Sequence, residues 1–249
     1  MTTSVIESRG GPVPEHSQLA YARFAGFMYI FILVFFAAAQ LILGGISGNG
    51  NFVETSQRIV ASELLWRIGL FCYVIGSMAT IPLAISLYVT LKPVDNNLAM
   101  MALLFRVVET AIDALWIVGA FAVLQTRLQV NHAHAFDTTQ LGALADLSSS
   151  AVGVGFQLSA AVSTLGSSIF FYLFLKSKYI PRILAAWGIF AALWFTAVGF
   201  VSLVLPQYSA SAPYGFLPIF IAELSTGLWL LIVGIRYDRG IPTIQERPG

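Results

Sequence analysis

Charged residues are scarce. Asp, Glu, Lys and Arg make up 10% of the 249 residues, against 57% hydrophobic ones. A soluble domain carries about 25% charged residues, so this chain has too few to coat a water-facing surface. That excludes a soluble enzyme and a disordered chain. Thirteen Lys and Arg against twelve Asp and Glu leave a net charge of +1, so a basic nucleic-acid binder is excluded too. Cysteine is nearly absent. Cys72 alone excludes an intramolecular disulfide and a cysteine-only zinc site. Of the three histidines, His16, His132 and His134, none falls in a long apolar run, which argues against a haem or His-ligated metal inside a bundle. P-loop, hydrolase, kinase and dinucleotide signatures are missing, and Gly153-Val154-Gly155 is only a pair of glycines in an apolar stretch. No cofactor and no metal is expected.

Apolar length is abundant. The mean hydropathy is +0.81, and six stretches reach the about 20 apolar residues that a membrane helix needs. They run roughly over Tyr21–Leu43, Leu64–Leu91, Leu98–Leu124, Ala151–Leu175, Ile183–Leu205 and Gly215–Ile235. Each is too long for a barrel strand. The expected fold is all-α: a polytopic six-helix transmembrane bundle over 21–237, preceded by a flexible arm over 1–20 and followed by a tail over 238–249. Proline is pushed to the span ends except Pro82, where a kink is expected. The second span can be read back to Ile59, so it must tilt, bend or protrude. Ala37-Ala38-Ala39 resembles a signal-peptide cleavage site, but the long leader with Glu7 and Glu15 beside Arg9 does not fit one.

Basic residues set the orientation. With the amino terminus inside, the inner segments hold Arg9, Arg23, Lys92, Lys176, Lys178, Arg182, Arg236, Arg239 and Arg247, and the outer loops hold Arg58 and Arg127. Both termini are therefore expected in the cytoplasm. The longest loop, about Gln125–Ser150, carries His132, His134 and Asp137, a weak metal-ligand pattern, and a Leu141–Leu147 run suited to the headgroup layer.

An ionisable residue at membrane depth costs about 2.5–3.5 kcal/mol on insertion scales for Arg, Lys or Asp. Six lie within the spans or at their mouths: Glu63, Arg67, Arg106, Glu109, Asp113 and Glu223. Glu63 and Arg67 are four apart, acid before base. Arg106, Glu109 and Asp113 share one helical face. At about 1.5 Å per residue from the cytoplasmic end, Arg106 lies roughly 12 Å deep, Glu109 roughly 16 Å and Asp113 roughly 22 Å. Glu223, counted back from Arg236, lies roughly 20 Å deep, level with Asp113. Ser77, Thr80, Ser163, Thr164 and Thr196 fall at comparable depth. Glu63 and Arg67 reach the outer headgroups, or the same layer if the second span protrudes inward. One base against three acids leaves the Arg106, Glu109, Asp113 and Glu223 group at −2, and adding Glu63 and Arg67 does not change that. Such a charge is balanced by protonation of one or two carboxyls or by a bound cation. The plainer reading makes Arg106–Glu109 and Glu63–Arg67 helix-pinning ion pairs, with Asp113 and Glu223 neutral and hydrogen-bonded. Gly155, Ser159 and Ser163 recur at four-residue spacing, a close-packing pattern.

Ser62-Glu63-Leu64 and Ala222-Glu223-Leu224 hint at a weak repeat that would make Glu63 and Glu223 counterparts. Ordered landmarks carry a wider likeness. They include Ala22-Arg23-Phe24-Ala25-Gly26, Ala61-Ser62-Glu63-Leu64-Leu65-Trp66-Arg67-Ile68-Gly69, Leu87-Tyr88-Val89-Thr90-Leu91-Lys92-Pro93-Val94, Phe105-Arg106-Val107-Val108-Glu109, Lys176-Ser177-Lys178-Tyr179-Ile180-Pro181-Arg182, and Glu223 with Leu228-Trp229-Leu230-Leu231. In these the chain resembles the bacterial six-helix membrane proteins grouped as domain of unknown function 4386. The resemblance implies a bacterial inner (cytoplasmic) membrane and no activity. Leu184-Ala185 departs from the Leu-Gly usual there.

Three functions fit these residues. The protein binds or transports a proton, a cation or a small amine-bearing molecule at the midplane carboxylate and Arg site. Alternatively it is a structural or accessory subunit of a membrane complex, or an intramembrane enzyme acting on a lipid or isoprenoid with Glu109, Asp113 or Glu223 as acid or base. The expected surroundings are the lipid bilayer, with room for a small cationic or lipid ligand and for an oligomer or membrane-protein partner.

Overall fold

The computed structural model describes residues 15–129, 137–205, 207 and 212–236. Among these, seven helices follow one another: α1 (Glu15–Ser47), α2 (Phe52–Ala61), α3 (Glu63–Leu91), α4 (Asn96–Leu128), α5 (Thr138–Ser177), α6 (Arg182–Val204) and α7 (Ala212–Ile232). All but α2 are long and apolar enough to cross a membrane. His132 and His134 lie outside the described residues, as do Arg9, Arg239, Arg247 and the tail over 238–249.

The six long helices form a ring in chain order. Each packs on the next, α1·α3, α3·α4, α4·α5, α5·α6 and α6·α7, and α1 closes the ring against α7. Short connections force antiparallel neighbours. The closure is tight because Gly26 of α1 lies directly on α7. A Cβ there would meet the Leu231 backbone, with Gly227 O at 2.7 Å and Leu230 C at 2.9 Å. In the reverse direction, Gly227 lies under Tyr29.

Two features have local causes. The over-long second span, expected to tilt, bend or protrude, bends so sharply that it breaks in two. The chain turns at Ser62 (φ −123°, ψ 30°), so Phe52–Ala61 is a separate short helix and the span begins at Glu63. Asn51 starts α2 by accepting from the Glu54 amide at 2.9 Å, and Arg58 ties it to α1 by donating to Ser47 O at 2.7 Å. In addition, much of the expected third loop is helix. Asp137 and Gln140 form a capping box that opens α5, which then runs unbroken to Ser177. The Leu141–Leu147 run is thus an overhang of α5, with Leu141 and Ala145 buried and Gly142 beside Phe52 of α2. Asp137 serves as a helix cap.

At the opposite end, α1 starts six residues before the span expected from Tyr21. Its buried Gln18 donates to Thr90 O at 2.6 Å and to Tyr179 Oη at 3.2 Å, which ties α1 to the ends of α3 and α5. Asp95 caps α4 by accepting from the Leu98 amide and meets Lys176 at 3.4 Å. The Leu98 amide, aided by Lys176, holds the Asp95 carboxyl below the usual carboxylate range. α3 passes Pro82 without a break, and Ser86 Oγ donates to Pro82 O.

Enlarging Gly26 to Val should force α1 and α7 apart and lower stability by about 1–3 kcal/mol. Gly45→Ala, at a site with nothing within 4 Å of the new Cβ, should leave the unfolding transition unchanged or raise it. Thermal unfolding in detergent micelles compares the two.

Candidate functional site

Charged side chains are buried inside the ring. Arg106, Glu109 and Asp113 are 4%, 6% and 5% exposed, so the helix face they share points into the bundle. Arg106 Nη1 donates to Glu109 Oε2 at 2.8 Å within α4 and also to Ser163 Oγ of α5. Ser163 thereby lies beside the Arg106–Glu109 pair. Arg106 Nη2 faces Glu223 Oε1 of α7 at 3.9 Å. Since α4 and α7 are not packed neighbours in the ring, this pair spans its interior. Arg106 Nε is buried with no partner among the described residues.

Asp113 sits at a separate level. Its Oδ1 accepts from Trp116 Nε1 at 2.8 Å and from Ser159 Oγ at 2.5 Å, and its Oδ2 accepts from Ser77 Oγ at 2.7 Å. The indole must donate, but a serine hydroxyl can give or take the hydrogen. Both Asp113 oxygens therefore stay bonded whether the carboxyl is ionised or holds a proton.

A serine ladder on α5 indexes these levels. Ser159 meets Asp113, Ser163 meets Arg106 and Glu109, and Ser167 Oγ donates to Glu223 Oε1 at 3.3 Å. Four-residue spacing keeps the three hydroxyls on one face. The same face brings α4 close: a Cβ on Gly155 would meet Trp116 Cβ at 2.8 Å, and one on Gly166 would meet Phe105 Cβ at 3.0 Å. The small-residue pattern thus serves both packing and hydrogen bonding. Tyr29 of α1, nearly fully buried, lies within electrostatic reach of Glu223, Arg106 and Glu109. Thr80 and Thr110 join α3 to α4 at 2.7 Å, and Thr164 and Thr196 join α5 to α6 at 2.7 Å.

Three of the six expected site residues, Arg106, Glu109 and Glu223, come together, Asp113 lies buried at its own level on the same α4 face, and two do not join them. Glu63 and Arg67 pair with each other at 2.7 Å at the start of α3, with side chains 41% and 39% exposed. The break at Ser62 places Glu63 at a helix mouth, whereas Glu223 lies well inside α7, so the two are not counterparts in a repeat. Glu223 is also not level with Asp113. Its serine, Ser167, stands about 12 Å along α5 from Ser159. The count from Arg236 is too long because α7 ends at Ile232 and the chain turns at Gly234 (φ +80°). Counted from Ile232, Glu223 is about 13 Å deep, level with Arg106.

Trp116, Ser167 and Tyr29 are the members of the site that the sequence reading missed. Trp116 follows Asp113 by three residues and Ser167 follows Ser163 by four, so spacing could have found both. Tyr29 needed the α1–α7 closure.

Fold and site together define a multi-pass α-helical integral membrane protein with an ionic network enclosed by its helices. The family model described as Domain of unknown function (DUF4386) matches residues 24–234, and the chain belongs to that family. No curated protein and no solved structure matches the chain.

Arg106→Leu leaves Glu109 and Glu223 without their base and should cost about 3–5 kcal/mol. Adding Glu223→Gln should restore part of that loss, because the two side chains are coupled. Denaturant unfolding in bicelles measures both.

Proposed function

We propose that this membrane protein binds a proton, a cation or a small amine-bearing molecule inside the ring and acts as a carrier or receptor for it. The observation that carries the reading is the imbalance of buried charge: among the described residues Arg106 is the one buried base, it faces Glu109 and Glu223, and Asp113 lies buried further along α4 with only hydroxyl and indole donors. Buried carboxylates in excess call for a proton or a cation. The two serine hydroxyls on Asp113 can follow a proton on and off without leaving an oxygen unpaired. Among the described residues no three metal-capable side chains converge on one point, which favours a proton or an organic cation over a coordinated metal ion. Burial of Glu109 and Asp113 weighs against an enzyme that takes lipid from the side.

The same proposal places both termini on the cytoplasmic side of a bacterial inner membrane. Its support is the basic asymmetry. Arg23, Lys92, Lys176, Lys178, Arg182 and Arg236 gather at the end where α1 begins, and Arg58, Arg67 and Arg127 lie at the α2 end.

Asp113→Asn and Glu223→Gln keep side-chain shape and remove one negative charge each. In proteoliposomes with an entrapped pH indicator, proton movement driven by an imposed membrane potential should fall about tenfold, as about 1.4 kcal/mol of lost interaction brings. Unchanged proton movement in both variants, with unchanged cation binding, overturns the reading.

A further inference from the structure

The half of the bundle nearer α2 holds a cavity of about 320 Å³ between α1, α3, α4 and α5. That volume lies at the lower end of small-molecule sites. Its walls are aromatic: Trp66, Tyr73, Trp116 and Phe156 all line it. The rings are held edge to face, with Tyr73 to Trp116 at 5.0 Å and Trp116 to Phe156 at 5.5 Å between centroids. In each of these pairs the edge of one ring meets the face of the other, and all four aromatic residues border the space. Gln40 and Ser149 supply polar groups, and no charged side chain lines the space.

Trp116 belongs to both the cavity and the ionic network. One surface of the indole forms the cavity wall, and its Nε1 donates to Asp113 Oδ1. A guest in the chamber thus sits one side chain away from a buried carboxylate, beside a network with more acids than bases. A neutral apolar guest would gain from the walls but nothing from that field. An anion would be repelled by it. A cation gains from both, since aromatic faces attract positive charge. A strongly hydrated metal ion would lose its water to walls that offer few oxygen ligands.

We infer that the chamber walled by Trp66, Tyr73, Trp116 and Phe156 is a binding site for a small organic ammonium ion bearing an apolar group, with Trp116 linking the bound charge to Asp113. This rests on the cation reading proposed above and specifies its ligand class and its point of access. It also gives the indole a role: movement of Trp116 on binding alters a hydrogen bond to Asp113, and so links occupancy of the chamber to the state of that carboxyl.

The test uses benzyltrimethylammonium and its neutral carbon isostere neopentylbenzene on the full chain in nanodiscs, read by tryptophan fluorescence and calorimetry. The cation should bind at least about tenfold more tightly than the isostere, which has the same shape. Gly153→Phe should weaken the cation about tenfold or more, because Gly153 lines the cavity and its Cβ position has nothing within 4 Å, so the new side chain starts in open space at the cavity wall. Equal binding of cation and isostere, absence of cation binding, or cation binding unaffected by Gly153→Phe each overturns the inference. The comparison of the two probes uses the unaltered protein, so it stands even if a variant folds poorly. If the chamber fails while Asp113→Asn or Glu223→Gln still alters proton movement, the ligand class alone is wrong. If those variants also change nothing, the cation reading fails with it.

Discussion

Arg106 is the side chain around which the ring is organised. A guanidinium at this depth is tolerated only if its charge and its donors are met inside the protein, because the hydrocarbon outside offers neither. Its partners come from three helices: Glu109 on its own α4, Ser163 on α5 and Glu223 on α7. The last of these ties together two helices that do not touch through their backbones. Glycine on α5 and glycine at the α1–α7 crossing bring the surrounding helices in closely enough for short polar side chains to reach. Contacts of this kind are individually modest in membranes, averaging about 0.6 kcal/mol. Stability alone is a weak reason to retain three acids around one base.

Helical spacing made the central stripe legible in advance. Arg106, Glu109 and Asp113 at i, i+3 and i+7 can only share a face, and in an apolar helix that face must turn inward. The six spans were legible from apolar length, since each contains about 20 mostly apolar residues. What was not legible depended on where helices end. Glu63 and Arg67 look intramembrane when the apolar run is read back to Ile59, but the backbone turns at Ser62 and leaves them half exposed. Glu223 looks deeper than it is because the last residues before Arg236 are not helical. The residues over 138–150 look like loop because Ser and Thr are frequent there, yet the capping box at Asp137 starts a helix that polar composition alone does not forbid. Tyr29, Trp66, Tyr73 and Phe156 carried no local signal, since aromatic residues in membrane helices face lipid as readily as they face one another.

The aromatic chamber and the ionic network are neighbours with opposite characters. One is apolar and accessible, and the other is charged and enclosed. Trp116 is the partition between them, apolar on one surface and a hydrogen-bond donor at its edge. That division of labour suits a two-part guest, whose apolar part is accommodated by rings and whose charge is felt by carboxylates it does not touch.

Ring closure between the first and last long helices has a consequence for biosynthesis. α7 emerges from the ribosome last, so Glu223 does not yet exist while α4 is leaving the translocon. During that interval Arg106 must be neutralised by something already made. Glu109, one turn away on the same helix, is present from the outset. The intrahelical pair therefore lets α4 partition into lipid as a self-sufficient segment. The contact to α7 is added only when the final span arrives and the barrel of helices seals.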